Sequence, residues 1–389
     1  MKARLMPIFL LIVLSILGSL CWYMARRSMA LCPQLHRHPA WVYGFFATFI
    51  VLQFGVPLLH RIPALAHRLD GLYWLSWGLF SFVATFLPFL AITDLIQWIA
   101  RKLGAPTTFG TTAFGLALTL SLICVLAGLI TVLRPVPLRR VEVPIVDLDP
   151  ALDGFRIVQI SDLHLGPMSR IPHVARIIAL TNAQKPDLVA LTGDIVDSEA
   201  DGTRAKAALM KDLRARHGVF YITGNHEYYS GVRPWLKLFR SFGWQVLIND
   251  CRALDHDGAA LTVIGLPDPA ARRPRPGESS EGAPDLDLAL AGAPQKGLRI
   301  LLNHQPLGYV QAEQAGVQLQ LSGHTHGGQF FPWSLLVRAI FAYPVGLHRH
   351  GQLWIYTSPG TGFWGPPNRF MVGPELTLIT LKRGTVVPS

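Results

Sequence analysis

Five short stretches hold residues able to do chemistry. "VQISDLHLG" carries Asp162 and His164, "ALTGDIVD" carries Asp194 and Asp197, and "YITGNHEYY" carries Asn225, His226 and Glu227. "ILLNHQP" carries His304, and "LSGHTHGGQF" carries His324 and His326. In an extended chain residues i and i+2 point the same way, so a D-x-H or H-x-H pair presents both side chains to one side. Taken singly each stretch has an ordinary use, since a strand-terminal Asp caps helices and GD or GN forms turns. Together they hold three aspartates and five histidines in a fixed order along the chain. Such a set converging in one cleft is costly without a cation, so the set implies a metal site.

Oxygen and nitrogen donors without thiolate disfavour a closed structural zinc site. Carboxylate, amide and imidazole donors suit manganese, iron, zinc or cobalt. Asp162, His164, Asp194, Asn225, His304, His324 and His326 make seven candidate ligands, more than one ion needs. Two divalent ions sharing a carboxylate are the natural count, and such pairs clamp the attacking and leaving oxygens of an in-line displacement.

The elements that must position these residues are short β-rich runs alternating with helical stretches, the texture of an α/β domain. Strands are expected at Phe155–Ile160, Leu188–Thr192, Val219–Thr223, Leu261–Gly265, Leu298–Asn303, Gln318–Leu321, Leu353–Thr357 and Leu376–Leu381. Helices are expected at Pro172–Gln184, Thr203–Arg214 and Pro234–Phe242. Apolar runs such as "PDLVALTG" suit a sheet covered on both faces. Each motif follows one of these strands, and in open α/β sheets ligands gather at the strands' carboxyl ends.

The ordered set D-x-H, GD, GNHE, H and GH-x-H resembles the calcineurin-like metallophosphoesterase superfamily, from about Phe155 to the C-terminus. That resemblance implies a four-layer α/β/β/α sandwich holding a two-metal site. It implies that Asp162, His164 and His326 hold one metal, that Asn225, His304 and His324 hold the other, and that Asp194 bridges them. It implies hydrolysis of a phosphate ester, phosphodiester or pyrophosphate bond by in-line attack of a hydroxide bridging the metals. His226 is then the candidate proton donor to the leaving oxygen, and Asn225 helps offset charge on the phosphoryl group. Asp197 matches the position that pairs with this histidine and raises its pKa; as an alternative it caps the helix that follows. Glu227 is expected to support the turn rather than the chemistry.

Protein Ser/Thr phosphatases of this superfamily show GD-x-VDRG and RGNHE, whereas Ser198 and Thr223 stand here in place of both arginines. That argues against a protein substrate. "TGNHEYYSG", "SGHTHGGQ" and "TSPGTGFWGPPNRFMVGPELTLITL" instead look like the membrane-attached bacterial-type branch, some members of which act on phosphodiester or nucleotide-lipid substrates. Arg369 in the last stretch could approach a phosphate or stand on the solvated surface.

The first third of the chain is of another kind. Up to Arg140 it holds twelve Lys or Arg and two acids, against 23 bases and 22 acids in the remainder, so nearly all of the net charge of +11 lies there. Those cations flank four apolar runs, about Leu5–Met24, Ala40–Leu59, Gly71–Ile92 and Gly110–Leu133. Runs of about 20 apolar residues ended by cations point to membrane spans rather than to a nucleic-acid groove, and no nucleic-acid partner is indicated. The expected organisation is therefore a membrane domain with four transmembrane helices over 1–139, a connector over 140–154 and a catalytic domain over 155–389. Four spans put both termini on one side, which carries seven bases against five and so leans cytoplasmic, in a bacterial inner membrane. Cys21, Cys32 and Cys124 lie in or beside the spans and Cys251 is alone in the rest, so nothing argues for an oxidising compartment. A Pro-, Ala- and Gly-rich insertion at about 268–284 lacks the apolar content to pack and is expected to be disordered.

The sequence supports a membrane-anchored phosphoesterase whose substrate is lipid-linked. In "PWSLLVRAIFAYP" the apolar side chains form either a lip touching lipid or a buried cap over the sheet. A hydrolase of soluble small-molecule phosphate esters with the spans only as anchor is the second expectation, and a non-catalytic metal-binding scaffold the third. Oligomeric state is not encoded in any motif.

Overall fold

A computed structural model of the chain describes residues 2–60, 62, 65, 67–104, 110–272 and 282–384. The chain divides into two compact units, Met1–Ile130 with Gly365–Phe370, and Thr131–Trp364 with Met371–Ser389.

The first unit is built on four long helices, Lys2–Leu31, Pro39–His60, Asp70–Lys102 and Gly110–Leu133. All four are long and apolar enough to cross a membrane. The shortest has 22 residues, which at about 1.5 Å per residue covers a hydrocarbon core about 30 Å thick. Met24, Phe49, Phe86 and Leu90 are buried between helices, while Leu11, Trp41 and Val51 face outward as lipid-facing residues do. Asp94, the acid inside the third span, is paired within the first unit. Arg27 Nε donates to both of its oxygens at 2.7 and 2.9 Å, and Tyr23 OH donates to Oδ2 at 2.8 Å. Residues 365–370 group with these helices: Asn368 Nδ2 donates to Ser81 Oγ at 3.0 Å, and the Arg369 N–H to Gly128 O at 3.3 Å. Arg369 is 1% exposed, which overturns the solvated-surface expectation for it.

The second unit holds two six-stranded sheets. In the first, β1 (Leu138–Val146), β12 (Leu376–Gly384), β2 (Arg156–Ile160), β3 (Leu188–Thr192), β4 (Val219–Ile222) and β5 (Gln245–Val246) lie in that order. β2 to β5 run parallel, and β12 is antiparallel to β2. In the second, the order is β10 (Gly346–His350), β11 (Leu353–Thr357), β9 (Leu319–Ser322), β8 (Leu298–Leu302), β7 (Ala259–Gly265) and β6 (Asp250–His256). Its four central strands are parallel and its two edges antiparallel.

The sheets pack face to face. Ile157, Leu188, Ala190 and Phe220 of one meet Leu261, Val263, Ile300 and Leu319 of the other in a single buried cluster. The outer face of the first sheet is covered by Ile171–Ala183 and Val232–Ser241 through Val174, Ile177, Trp235 and Phe239. That of the second is covered by Leu286–Leu290 and Tyr309–Gln314 through Ala289 and Ala312. The result is the four-layer α/β/β/α sandwich.

Three expectations are corrected. The first half of the stretch expected as a connector, up to Val146, is strand: β1 lies alongside β12, Leu138 opposite Leu376. Pro144 is tolerated there because β1 is the sheet's edge, where a missing N–H breaks no ladder. The start of the insertion is ordered, with Asp268 and Ala271 fully buried and Pro269–Arg272 a 3-10 turn, whereas residues 273–281 lie outside the described residues. "PWSLLVRAIFAYP" is no buried cap: Trp333–Ile340 is a helix with Leu335, Leu336 and Ile340 each more than half exposed.

Candidate metal centre

Every candidate ligand sits just past the carboxyl end of a strand. Asp162 and His164 follow β2, Asp194 and Asp197 follow β3, and Asn225 and His226 follow β4. His304 follows β8, and His324 and His326 follow β9. The loops bend so sharply that Asp162, His164, Asp194, His324 and His326 all take positive φ, between 48° and 69°. Non-glycine residues are held in that region only where the surroundings over-determine them, which is common at functional sites.

Two glycines let the loops interlock. A Cβ on Gly323 would stand 2.1 Å from Asp162 Oδ2, and one on Gly224 would stand 2.1 Å from Asp194 Oδ1. Without them, each carboxylate is gripped by the backbone of another ligand loop. The His324 N–H donates to Asp162 Oδ1 at 2.9 Å, and the His226 N–H donates to Asp194 Oδ1 at 2.8 Å. Glu227 ties two loops further. Its Oε1 accepts from the Ile195 and Val196 N–H groups at 2.7 and 3.2 Å, and its Oε2 from those of Asp194 and Gly224 at 3.0 and 2.7 Å.

The donors converge in three overlapping groups, each with ligand atoms within 4.8 Å of one another: Asp162, His164 and His326; Asp194, His304 and His324; and His164, Asp194 and His226. Asp194 belongs to two of them. His164 Nε2 and His326 Nε2 face each other at 3.0 Å, with Asp162 Oδ1 3.4 Å from the latter. Asn225 Oδ1 lies 3.0 Å from His324 Nδ1. All seven sequence-expected ligands are thus brought together.

His304 shows what the arrangement asks for. Its Nδ1 lies 2.8 Å from Thr192 O, which can only accept, so Nδ1 carries a proton and Nε2 is the nitrogen left to face the centre. That buried Nε2 stands 3.1 Å from Asp194 Oδ2. Two electron-rich atoms this close require a positive charge between them. In the bare protein a proton takes that place: burial would lower the His304 pKa, but the charges of Asp194 and Asp162 raise it well above the ordinary value. A divalent cation fits the same position and satisfies the same atoms. His324 stays neutral and able to ligate, because burial and the neighbouring His304 push its pKa down to about 3.

His226 stands beside the centre, its side chain 13% exposed. Its Nδ1 pairs with Asp197 Oδ1, and its Nε2 lies 4.0 Å from Asp194 Oδ2. Burial lowers its pKa, but the Asp197 hydrogen bond and the charges of Asp194, Asp197 and Glu227 outweigh that and push it up to about 9. Asp197 therefore pairs with His226, with His164 Nδ1 3.7 Å from the same oxygen, and the residue at the helix-cap position before Ala200–Ala208 is Glu199. Ser198 and Thr223, which replace the arginines, make local contacts to Thr203 and to the Tyr228 hydroxyl.

Several residues of the site have no signal in the sequence. Ser161 Oγ donates to Asp162 Oδ2. The loop after β11 crosses the same segment, the Thr361 and Gly362 N–H groups donating to Ser161 O and Asp162 O at 2.8 and 2.9 Å. Tyr229 and Trp364 place their rings 5.3 and 5.7 Å from that of His226. All of these residues stand in stretches quoted above, but nothing in their type or spacing marks them as part of the site.

A family model for the calcineurin-like phosphoesterases matches residues 155–328. A transmembrane protein with metallophosphoesterase domain from Danio rerio is 32% identical over 329 residues, covering 80% of this chain and 74% of that protein. Its namesake from Bos taurus is 34% identical, with 69% and 62% covered. A metallophosphoesterase from Helicobacter pylori is 35% identical over 242 residues, with 62% and 63% covered. The chain thus spans just under two thirds of the last two.

Proposed function

The chain belongs to the calcineurin-like metallophosphoesterases and is a metal-dependent phosphoesterase integral to a membrane, and from that premise we propose that it hydrolyses a lipid-linked phosphodiester or pyrophosphate at a dinuclear centre. The observation that carries the proposal is the convergence on Asp194 of two ligand groups, with His226 held by Asp197 beside them.

Asp162, His164 and His326 would hold one ion, Asn225, His304 and His324 the other, and Asp194 would bridge them. When bound, two cations such as manganese, iron, zinc or cobalt supply Lewis acidity toward phosphoryl oxygens and a nucleophilic water at neutral pH. Asn225 adds a side-chain amide to the phosphoryl pocket. His226, protonated through its Asp197 bond, directs Nε2 toward the centre and gives its proton to the departing oxygen. Asp197 then stabilises the imidazole's charge and fixes its orientation.

Two features support a lipid-linked substrate. Four membrane-capable helices belong to the same chain as the centre. The exposed apolar helix Trp333–Ile340 begins seven residues after the ligand His326. The charge count across the spans, seven bases against five, supports a cytoplasmic catalytic unit. The test compares a detergent-solubilised lipid phosphodiester with its water-soluble headgroup diester, on the full chain reconstituted with Mn2+. Preference for the lipid is expected; equal rates on both would leave a hydrolase of soluble esters with the spans as anchor.

A further inference from the structure

The proton-donating face of the centre is lined by two large rings that no core requires. Tyr229 is 60% exposed and Trp364 is 48% exposed. Both meet the His226 imidazole edge-on, at interplanar angles of 63° and 72°. Because Asp197 occupies Nδ1, the imidazole offers Nε2 to the leaving oxygen, so groups bordering this ring border the leaving group.

Trp364 is not there by chance of a loop. The Trp364 N–H donates to Gln329 Oε1 at 2.8 Å, and Gln329 Nε2 donates back to Trp364 O at 2.7 Å. One carboxamide thus holds both polar groups of one backbone residue, which sets its position along the chain and its rotation. Gln329 is itself 6% exposed and has a φ of 60°, three residues after the ligand His326. The loop that carries the metal ligands therefore also carries the clamp that sets the indole.

We propose that Tyr229 and Trp364 form a leaving-group subsite for a flat, π-faced ring, aromatic or heteroaromatic, and that Gln329 is the positioning residue that holds Trp364 in it. The proposal rests on the phosphoesterase function above and adds to it what the departing side of the ester carries. Exposed aromatic faces beside a reacting centre take rings by stacking and edge contacts, which reject saturated groups of equal size less by volume than by shape.

The test measures binding, so that turnover is not needed. Phenylphosphonate, cyclohexylphosphonate and methylphosphonate are titrated calorimetrically into the Mn2+-loaded full chain in lipid nanodiscs. The phenyl compound should bind about tenfold tighter than either of the others, the size of one stacking contact. Trp364→Ala and Gln329→Ala should each bring that ratio close to one, the double variant should go no further, and Trp364→Phe should keep most of it. Cyclohexylphosphonate binding as tightly as phenylphosphonate would overturn the subsite, because plain apolar burial makes no such distinction. Equal binding of all three would overturn it as well, leaving the phosphoryl site intact. Binding of none would remove the phosphoesterase premise and the subsite together. Loss of metal from Gln329→Ala, with the ratio unchanged in Gln329→Glu, would make Gln329 a support of the ligand loop and overturn the clamp.

Discussion

His304 Nε2 stands 3.1 Å from Asp194 Oδ2, with Nδ1 of the same ring committed to Thr192 O. That pair is stable only with a positive charge between its members, and it joins two strands from different sheets, β3 and β8. Asp194 also belongs to two of the three donor groups, one with His304 and one with His164. Replacing Asp194 by Ala should therefore empty more than one position. Metal analysis of the purified variant should fall from about two ions per chain to below one, with turnover lost in parallel. Two ions retained with activity intact would refute the bridging assignment.

His226 presents a sharper choice, because its ring belongs to a donor trio with His164 and Asp194 while its Nδ1 is taken by Asp197. As a general acid it should be dispensable for metal and essential for rate. His226→Ala is expected to lower turnover about 10²- to 10⁴-fold while leaving metal content unchanged. A drop of one ion per chain would make it a ligand instead. Poor leaving groups should suffer more than 4-nitrophenolate, which departs without a proton.

Asp197 sets the pH range of that acid. The acid works protonated, so its rate falls as pH rises through the His226 pKa, which the Asp197 bond and nearby carboxylates hold up to about 9. In Asp197→Asn the negative partner is gone and the folded pKa falls. The alkaline limb of the turnover profile should move to lower pH, whereas the acidic limb should stay. Bound cations lower both enzymes' His226 pKa, so the direction of the difference survives. An unmoved alkaline limb would show that Asp197 does not act through His226.

Much of this site could be read from the chain because each ligand hangs on the end of a strand whose apolar run is unmistakable, as in "PDLVALTG" before Asp194. The sheets' inner strands were legible for the same reason. The edges were not. β1 contains Pro144, Glu142 and two arginines and acquires its strand character only by pairing with β12, some 230 residues away. Gln329 and Trp364 meet across 35 residues through a side-chain amide and a backbone, a contact with no local periodicity to betray it. The exposure of Trp333–Ile340 is likewise a property of what does not cover it, and an apolar run reads the same buried or bare.

Glu227 separates support from chemistry. Its carboxylate is fully buried and accepts from four backbone N–H groups in the Asp194 and Asn225 loops. Each buried donor left without an acceptor costs about 1–3 kcal/mol. Glu227→Ala should destabilise the second unit by about 3–5 kcal/mol, allowing for some relaxation. Glu227→Gln, which keeps one acceptor oxygen, should lose less. Thermal unfolding of both variants in detergent, with metal removed so that ligand loss does not contribute, measures this. Equal midpoints for wild type and Glu227→Ala would contradict the assignment.

The helix Trp333–Ile340 tests whether substrate arrives from the bilayer. Leu335, Leu336 and Ile340 are 59%, 52% and 66% exposed, and Arg338 stands among them. A bare apolar helix of this kind in a chain with membrane spans is best satisfied by the lipid interface, with the arginine at headgroup level. Leu335→Glu with Leu336→Glu adds two charges to a face that no core needs, so folding and metal content should hold. Burial of one such side chain contributes about 1.5–3 kcal/mol, so removing two should raise KM for a bilayer-embedded phosphodiester at least tenfold. The same variant should hydrolyse a water-soluble diester with an unchanged KM. If KM rises equally for both substrates, the helix shapes the pocket itself; if it rises for neither, lipid contact plays no part in substrate capture.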